Sequence, residues 1–265
     1  MSCTAPEMRS LRNGATTVTY AVTGPTHSQA RTICLIASTG RGPEDFFHLA
    51  THLAAGGLRV VMPRPRGMGG SEGPLDSIDF HDLAGDAAAV LRAEMGPGGA
   101  IVTGHAYGCW IARTVAQDFP EMIDGLILLA AGAGKWPEEL SQAINTAMTP
   151  DAPEAERLAA LKMAFFTEDH DPRPWLQGWS GDVVRAQRAA RGRTDRDSWW
   201  PSGTAPMLDI VGLQDPFRSE ADRDFYLREF GPRLTLKLVN GASHALPDEK
   251  PAEVATLMLD WIGAL

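Results

Sequence analysis

The sequence predicts an α/β protein with a mostly parallel central sheet and helices on both faces. Its 265 residues correspond to one large α/β domain or to two domains of ~150 residues. Short, continuous apolar runs are typical of strands buried on both faces, and here they alternate with amphipathic helical patterns. Strand and helix in repetition indicate parallel βαβ units, which place helices on both sides of the sheet.

The apolar runs give the predicted strands, and the amphipathic patterns between them give the predicted helices. The predicted strands are residues 16–22, 33–37, 60–62, 100–103, 126–130, 207–211 and 234–239, and the predicted helices are residues 45–55, 79–95, 107–119, 220–230 and 251–261.

The alternation stops between residues 133 and 201. This segment shows no strand pattern, although it holds five of the seven tryptophans. We therefore predict a core formed by residues 1–132 and 202–265, with residues 133–201 as a helical cap, or lid. The cap should cover the carboxyl edge of the sheet, where open α/β sheets bind ligands.

Composition excludes several classes of partner. The excess of 33 acidic over 24 basic residues gives a net charge of −9, which argues against nucleic acid because phosphate binding needs a positive surface. The longest aliphatic stretch, residues 126–131, is far shorter than the ~20 residues of a membrane span. The first ten residues lack the apolar core of a signal peptide. We therefore expect a cytoplasmic protein with no membrane association.

The sequence predicts neither a metal site nor a cofactor. Cys3, Cys34 and Cys109 form no disulfide framework and no paired metal spacing. His48 and His52 have a spacing that can chelate a metal on a helix, but no HExxH pattern or third ligand accompanies them. We interpret them as part of a solvated helix face.

One short segment carries the chemistry. A strand-like run ends in Gly104-His105-Ala106-Tyr107-Gly108 and continues as an amphipathic helix. This G-x-A-x-G turn resembles the nucleophile elbow of the α/β-hydrolase family, which reads G-x-S-x-G between a strand and a helix. The two glycines leave room for the tight crossing and its strained central residue. Ala106 stands at the nucleophile position, and a methyl group cannot attack a carbonyl.

The resemblance extends over nearly the whole chain outside the cap. Asp215 and His244 each follow a predicted strand, in the family order of nucleophile, acid and histidine. The resemblance implies that His244 is the general base and that Asp215 orients it. Residues 66–71 (RGMGGS) also resemble the R-G-x-G-x-S turn of the family. We interpret Cys109, which lies within the helix after the elbow, as a packing residue and not as a substitute nucleophile.

The resemblance also implies an oxyanion hole. The family commonly has His-Gly-x after the strand that ends near residue 37, but Ala37-Ser38 stands there in this chain. This departure makes the N–H of Thr39 the expected first donor. The second donor would be the N–H of Tyr107, at the positive end of the next helix.

Ala106 leaves three interpretations open. The chain is an engineered Ser→Ala variant of a hydrolase, or it uses the His244–Asp215 pair without a nucleophile as a cofactor-free oxygenase or lyase, or it is a non-catalytic small-molecule receptor. The expected set of catalytic groups lacks only the oxygen atom of a serine at position 106, and this favours the interpretation as an engineered Ser→Ala variant. An aspartate parent, as in dehalogenases and epoxide hydrolases, is disfavoured because the cap contains none of the tyrosines that epoxide hydrolases use.

The expected substrate is a carboxylic ester or lactone of a bulky, largely apolar small molecule, cleaved through a Ser-His-Asp triad by a monomer or homodimer. A run of cap arginines, at positions 185, 188, 191, 193 and 196, is interpreted as a solvated face, with a site for an anionic substrate tail as the alternative. Apolar pockets with a few polar groups are usual for small molecules, so the expected substrate-binding residues are Ser38, Trp136, Trp175, Trp179, Phe165 and Phe166.

Overall fold

The structure is a computed structural model that describes residues 6–26, 30–96 and 98–265. The first five residues, including Cys3, lie outside this part. The described strands form one sheet in the order β1-β2-β4-β3-β5-β6-β7-β8. Their bounds are β1 Glu7–Asn13, β2 Thr16–Thr23, β3 Thr32–Ile36, β4 Arg59–Pro63, β5 Ala100–His105, β6 Ile123–Leu129, β7 Met207–Gly212 and β8 Leu234–Val239.

The sheet is parallel from β4 through β8, and β1 and β2 add an antiparallel edge. The α-helices between and after the strands are α1 Phe47–Ala55, α2 Phe80–Glu94, α3 Gly108–Asp118, α4 Glu138–Met148, α5 Glu154–Ala164, α6 Gly181–Arg193, α7 Phe225–Phe230, α8 Leu246–Glu249 and α9 Pro251–Gly263.

Alternating strand residues build two apolar layers, one on each face of the sheet. On β3, Ile33 and Leu35 pack with α1 and α9, whereas Cys34 and Ile36 pack with α2 and α3. Because successive side chains on a strand point to opposite faces, a run that is apolar throughout is needed to fill both layers. The predicted α/β class, with a mostly parallel sheet covered on both faces, is confirmed.

Two elements of the structure differ from the prediction. Strand β1 was not predicted, because this edge strand is largely exposed and polar and has no apolar run. The predicted helix at 220–230 is a 3-10 turn at Glu220–Asp222 followed by the short α7. Where the two segments meet, Arg218 donates to the backbone oxygens of Asp222 and Arg223.

The insertion between β6 and β7 contains α4, α5 and α6. Two backbone hydrogen bonds attach it to loops at the carboxyl edge of the sheet: Ser180 N donates to Gly40 O at 3.0 Å, and Ala245 N donates to Phe165 O at 2.8 Å. In the described ranges, no helix combines the length and apolarity needed to cross a membrane.

Candidate functional site

The turn between β5 and α3 has the backbone of an elbow. Ala106 adopts φ +50°, a left-handed conformation that costs a non-glycine residue energy and is commonly retained at functional sites. Its N–H donates to Leu129 O at 2.9 Å, which fixes the turn to the neighbouring strand β6. The methyl group of Ala106 lies on the wall of a cavity.

The flanking glycines are required by close backbone contacts. A Cβ on Gly104 would lie 2.1 Å from the backbone oxygen of Gly108, and a Cβ on Gly108 would lie 2.2 Å from Ile36 O. These separations are far below van der Waals contact. The glycines therefore let the start of α3 approach both its own strand and the end of β3.

His244 and Asp215 are hydrogen-bonded to each other at the ends of β8 and β7. His244 Nδ1 lies 2.9 Å from Asp215 Oδ2 and 3.1 Å from Oδ1. Because a carboxylate only accepts, Nδ1 carries the proton and Nε2 of the neutral ring is an acceptor. Phe217 N also donates to Asp215 Oδ1 at 2.8 Å. The carboxylate is fully buried, and the His244 ring packs against Phe217 at a centroid distance of 4.5 Å.

The two backbone N–H groups expected to bind an oxyanion are unpaired. Neither Thr39 N nor Tyr107 N donates to an acceptor in the described part of the chain. The adjacent Gly40 N is engaged, because it donates to Gln187 Oε1 at 2.8 Å. The Tyr107 hydroxyl donates to the backbone oxygen of Gln187 at 2.9 Å. Gln187 on α6 thus holds both the Thr39 loop and the elbow residue Tyr107.

These groups surround a cavity of about 390 Å³. This volume falls within the ~300–1,000 Å³ usual for small-molecule sites. Ala106, His244, Thr39 and Tyr107 line one part of it. The remaining wall is mostly apolar or aromatic and comes largely from the insertion; its lining residues include Trp110, Trp136, Ile144, Asn145, Met148, Phe165, Trp179, Arg188, Arg191 and Phe217.

The structure brings most of the expected substrate-binding residues to this cavity. Ser38, Trp136, Trp179 and Phe165 line it, whereas Trp175 and Phe166 do not. The expectation for these two residues needs correction: both are buried in the packed core of the insertion. Trp175 Nε1 donates to Asp248 Oδ2 at 2.6 Å, which turns this indole towards α8 and away from the cavity.

Sequence analysis missed other wall residues. Trp110 lies on α3 one turn after the elbow, and Phe217 lies two residues after Asp215. Their proximity in sequence to predicted site residues was a usable signal. Ile144 and Asn145 carried no such signal, because only the packing of α4 against the core brings them to the cavity.

Cys109 is unsuited to replace the missing nucleophile. It is buried, and its Sγ donates to Gly104 O at 3.0 Å. Burial raises the pKa of the Cys109 thiol well above its usual range, so the nucleophilic thiolate is disfavoured. The side chain packs beneath the elbow.

A second Ser-His-Asp chain lies outside this cavity. His81 Nδ1 is 2.7 Å from Asp118 Oδ2, and His81 Nε2 is 2.8 Å from Ser198 Oγ. The N–H groups of Ser198 and of the next two residues all donate to backbone oxygens. None of these three N–H groups is free for an oxyanion, and the chain of hydrogen bonds joins the end of the insertion to α2 and α3.

His48 and His52 are both exposed on α1. Across residues 6–26, 30–96 and 98–265, no group of three or more His, Cys, Asp or Glu side chains is placed to hold a metal ion.

Comparison with known proteins identifies the family of this chain. The sequence model of the alpha/beta hydrolase family matches residues 35–257. Protein ABHD8 of Homo sapiens and of Bos taurus is 23% identical over 227 residues, which is 78% of this chain. The chain spans about half the length of these curated relatives, 49% and 50% respectively.

Solved structures share the whole fold. The esterase RhEst1 from Rhodococcus sp. ECU1013 has a TM-score of 0.77 and 22% identity, covering 99% of this chain and 100% of its own. A thermophilic esterase from Thermogutta terrifontis has a TM-score of 0.77 and 18% identity, covering 97% of this chain and 98% of its own. The family match extends from the end of β3 into α9, so this chain belongs to the alpha/beta hydrolase family.

Proposed function

We propose that this site binds a carboxylic ester or lactone of a bulky, largely apolar molecule and that, with serine at position 106, it hydrolyses that bond. One observation supports this most directly: Ala106, His244, Thr39 and Tyr107 all line a single cavity, and the N–H groups of Thr39 and Tyr107 are unpaired in the described part of the chain. Together they supply the kinds of group that acyl transfer uses, apart from the nucleophilic oxygen. We therefore interpret the chain as a Ser→Ala variant of a hydrolase.

The mechanism follows from the hydrogen-bond roles. A serine hydroxyl at position 106 would give its proton to His244 Nε2 as its oxygen attacks the carbonyl carbon. The oxyanion would accept hydrogen bonds from Thr39 N and Tyr107 N, each contributing about 3–4 kcal/mol to the transition state. His244 would return the proton to the leaving oxygen. Water, deprotonated in turn by His244, would then release the acid.

We also propose that residues 133–201 act as the cap of this site. Nine lining residues belong to the segment: Trp136, Ser141, Ile144, Asn145, Met148, Phe165, Trp179, Arg188 and Arg191. A wall built from the insertion excludes water from the reacting carbonyl. Short acetyl esters would leave much of this apolar surface unfilled, so we expect them to react slowly.

Restoring the hydroxyl tests the proposal. Ala106→Ser should raise the hydrolysis of bulky aromatic esters or lactones by several orders of magnitude over the present chain. Ala130→Ser is the matched control, because Ala130 has the same φ of +50° but is absent from the cavity lining; it should give no gain. If Ala106→Ser gives no gain with any ester or lactone, the hydrolase proposal is wrong.

The second candidate function uses the His244–Asp215 pair as a base without a covalent intermediate. It is favoured by the intact hydrogen bond of this pair beside a residue that offers no nucleophile. Proton abstraction of this kind suits a cofactor-free oxygenase or a lyase. Oxygen uptake by the unmodified chain with heteroaromatic substrates, abolished by His244→Ala, would support it, whereas binding without turnover would indicate a receptor.

A further inference from the structure

Two arginines of α6 face the cavity. Arg188 and Arg191 both line it, and their i,i+3 spacing places them on one side of the helix. The same cavity is bordered by Ala106 and His244. A ligand that fills it can therefore contact both the reaction centre and the two arginines.

The other arginines of this run are engaged elsewhere. Arg185 forms an ion pair with Asp182, and Arg193 Nη1 donates to Ile78 O at 3.2 Å. Arg196 lies over the ring of Trp200 at 3.7 Å. None of the three lines the cavity, so Arg188 and Arg191 differ from their neighbours in position.

Arg188 and Arg191 are oriented by neutral partners. Arg188 Nη2 donates to Asn145 Oδ1 at 2.9 Å, and the Arg191 guanidinium lies 4.6 Å from the centroid of the Trp110 ring. Neither has a carboxylate within 4.0 Å in the part of the chain that the structure describes. These contacts restrict both side chains but leave both positive charges uncompensated.

Uncompensated positive charge at this cavity contrasts with the net charge of −9 of the whole chain. An anionic ligand would be repelled by the general surface and attracted locally, which favours this one position. Guanidinium groups bind carboxylates through paired N–H donors. The apolar and aromatic residues of the same wall would contact an uncharged body.

We propose that Arg188 and Arg191 form a subsite for a carboxylate carried by the ligand. The substrate is then an amphipathic acid ester, with its scissile carbonyl near Ala106, an apolar middle, and a free carboxylate at the arginines. The identity of the scissile bond rests on the proposed function. The carboxylate subsite itself is a property of the cavity and is testable by binding alone.

Calorimetric titration of the unmodified chain tests the subsite without turnover. The probes are monobenzyl adipate, which has a free carboxylate, and benzyl methyl adipate, its neutral counterpart with the same apolar body. At low ionic strength the acid should bind about ten-fold more tightly than the neutral diester. Because Arg188 and Arg191 are both exposed, this preference should shrink at about 0.5 M salt.

Single substitutions test whether Arg188 and Arg191 cause the tighter binding of the acid. Arg188→Gln and Arg191→Gln should each remove most of the preference for the acid and leave binding of the neutral diester unchanged. Arg185→Gln is the matched control, because it removes one charge from the same helix outside the cavity; it should keep the preference. If the two probes bind equally, or if all three substitutions have the same effect, the subsite proposal is wrong. Arg188 and Arg191 would then be ordinary solvated side chains of α6.

Failure of the subsite and failure of the hydrolase proposal give different results. If Ala106→Ser hydrolyses the neutral diester and the acid equally fast, and the unmodified chain binds both equally, the hydrolase proposal stands and the subsite proposal is wrong. If Ala106→Ser hydrolyses neither probe but the unmodified chain still prefers the acid through Arg188 and Arg191, the subsite stands without ester hydrolysis.

Discussion

His105 Nε2 lies 2.7 Å from the backbone oxygen of His244. A carbonyl oxygen only accepts, so His105 is the donor and carries its proton on Nε2. The residue that immediately precedes Ala106 thus holds the loop of the proposed base. Burial, and then the neighbouring His244, lower the pKa of His105 to about 3. His105 therefore stays neutral at pH values where an ordinary histidine, with a pKa near ~6.5, is protonated.

This depressed pKa predicts a pH dependence of stability. An unfolded histidine takes up a proton near pH ~6.5, whereas folded His105 does so only near pH 3. Neutral His105 therefore costs the folded state nothing above the pKa of the unfolded histidine. As the pH falls from that value towards the folded pKa, the unfolded state gains the proton first and the protein loses stability. Over that interval the free energy of unfolding should fall by up to about 1.4 kcal/mol for each pH unit.

Urea unfolding of the unmodified chain and of His105→Phe, from about pH 7 to about pH 4.5, measures this term. Phenylalanine keeps an aromatic ring against Trp175 and Phe46 but cannot titrate. The variant should be less stable at pH 7, because the His244 carbonyl loses its donor, and it should depend less steeply on pH. Identical slopes for the two proteins would contradict the assignment.

The hydrogen bond between His244 and Asp215 predicts unequal effects of their replacement. In an Ala106→Ser background, His244→Ala should abolish ester hydrolysis, because among the described residues that line the cavity no other is a His, Asp or Glu. Asp215→Asn should leave weak activity, since Asp215 orients the imidazole and stabilises its charged form without transferring a proton. Values of kcat/KM on one bulky ester measure both effects. Full activity in Asp215→Asn would assign the acid role to another residue.

The parts that sequence predicts well are those governed by local patterns. The apolar runs of β3, β5 and β7 had to fill two layers, which made the parallel sheet predictable. The turn at Gly104 and Gly108 was equally local, because strand, glycine spacing and helix are contiguous. Asp215 and His244 could be placed because each follows a strand of the same parallel sheet.

The parts that escaped prediction depend on tertiary contacts. Trp175 has the composition of a pocket residue, yet its bond to Asp248 holds it in the core of the insertion. Gln187 gave no signal, although it supports the Thr39 loop from α6. The pairing of the α6 arginines is likewise a property of neighbours such as Asn145 and Asp182, which no spacing along the chain reveals.

The bond from Gly40 N to Gln187 Oε1 predicts a positioning role for Gln187. In the Ala106→Ser background, Gln187→Met removes the acceptor at similar size and should free the loop that carries Thr39. We expect kcat for ester hydrolysis to fall about ten-fold with little change in KM, because a misplaced donor weakens the transition state. Gln187→Glu keeps an acceptor and should restore most of kcat.

Gln117→Met is the matched control for this prediction. Gln117 Oε1 accepts from Gly203 N at 2.9 Å, so the same kind of bond is lost at a position outside the cavity. This variant should lose about 1 kcal/mol of stability while kcat stays unchanged. Equal losses of kcat in Gln187→Met and Gln117→Met would reduce Gln187 to a structural role.

The crossing of α3 over β3 predicts opposite effects for two glycines. A Cβ on Gly108 would lie 2.2 Å from Ile36 O and 2.7 Å from Ala37 O, both backbone atoms. Gly108→Ala should therefore push α3 away from the Thr39 loop and destabilise the protein by about 1–3 kcal/mol. Gly85, inside α2, has no heavy atom within 4 Å of its Cβ position, so Gly85→Ala should stabilise by about 0.5–1 kcal/mol.

Urea unfolding of the two glycine variants separates backbone crowding from helix propensity. Both substitutions add one methyl group to a helix, so any difference in sign comes from what that methyl group meets. Gly108→Ala should also weaken binding of monobenzyl adipate, because the Tyr107 N–H and the Thr39 loop would move apart. If Gly108→Ala stabilised the protein as Gly85→Ala is expected to, the close approach of α3 to β3 would not be a feature of the folded chain.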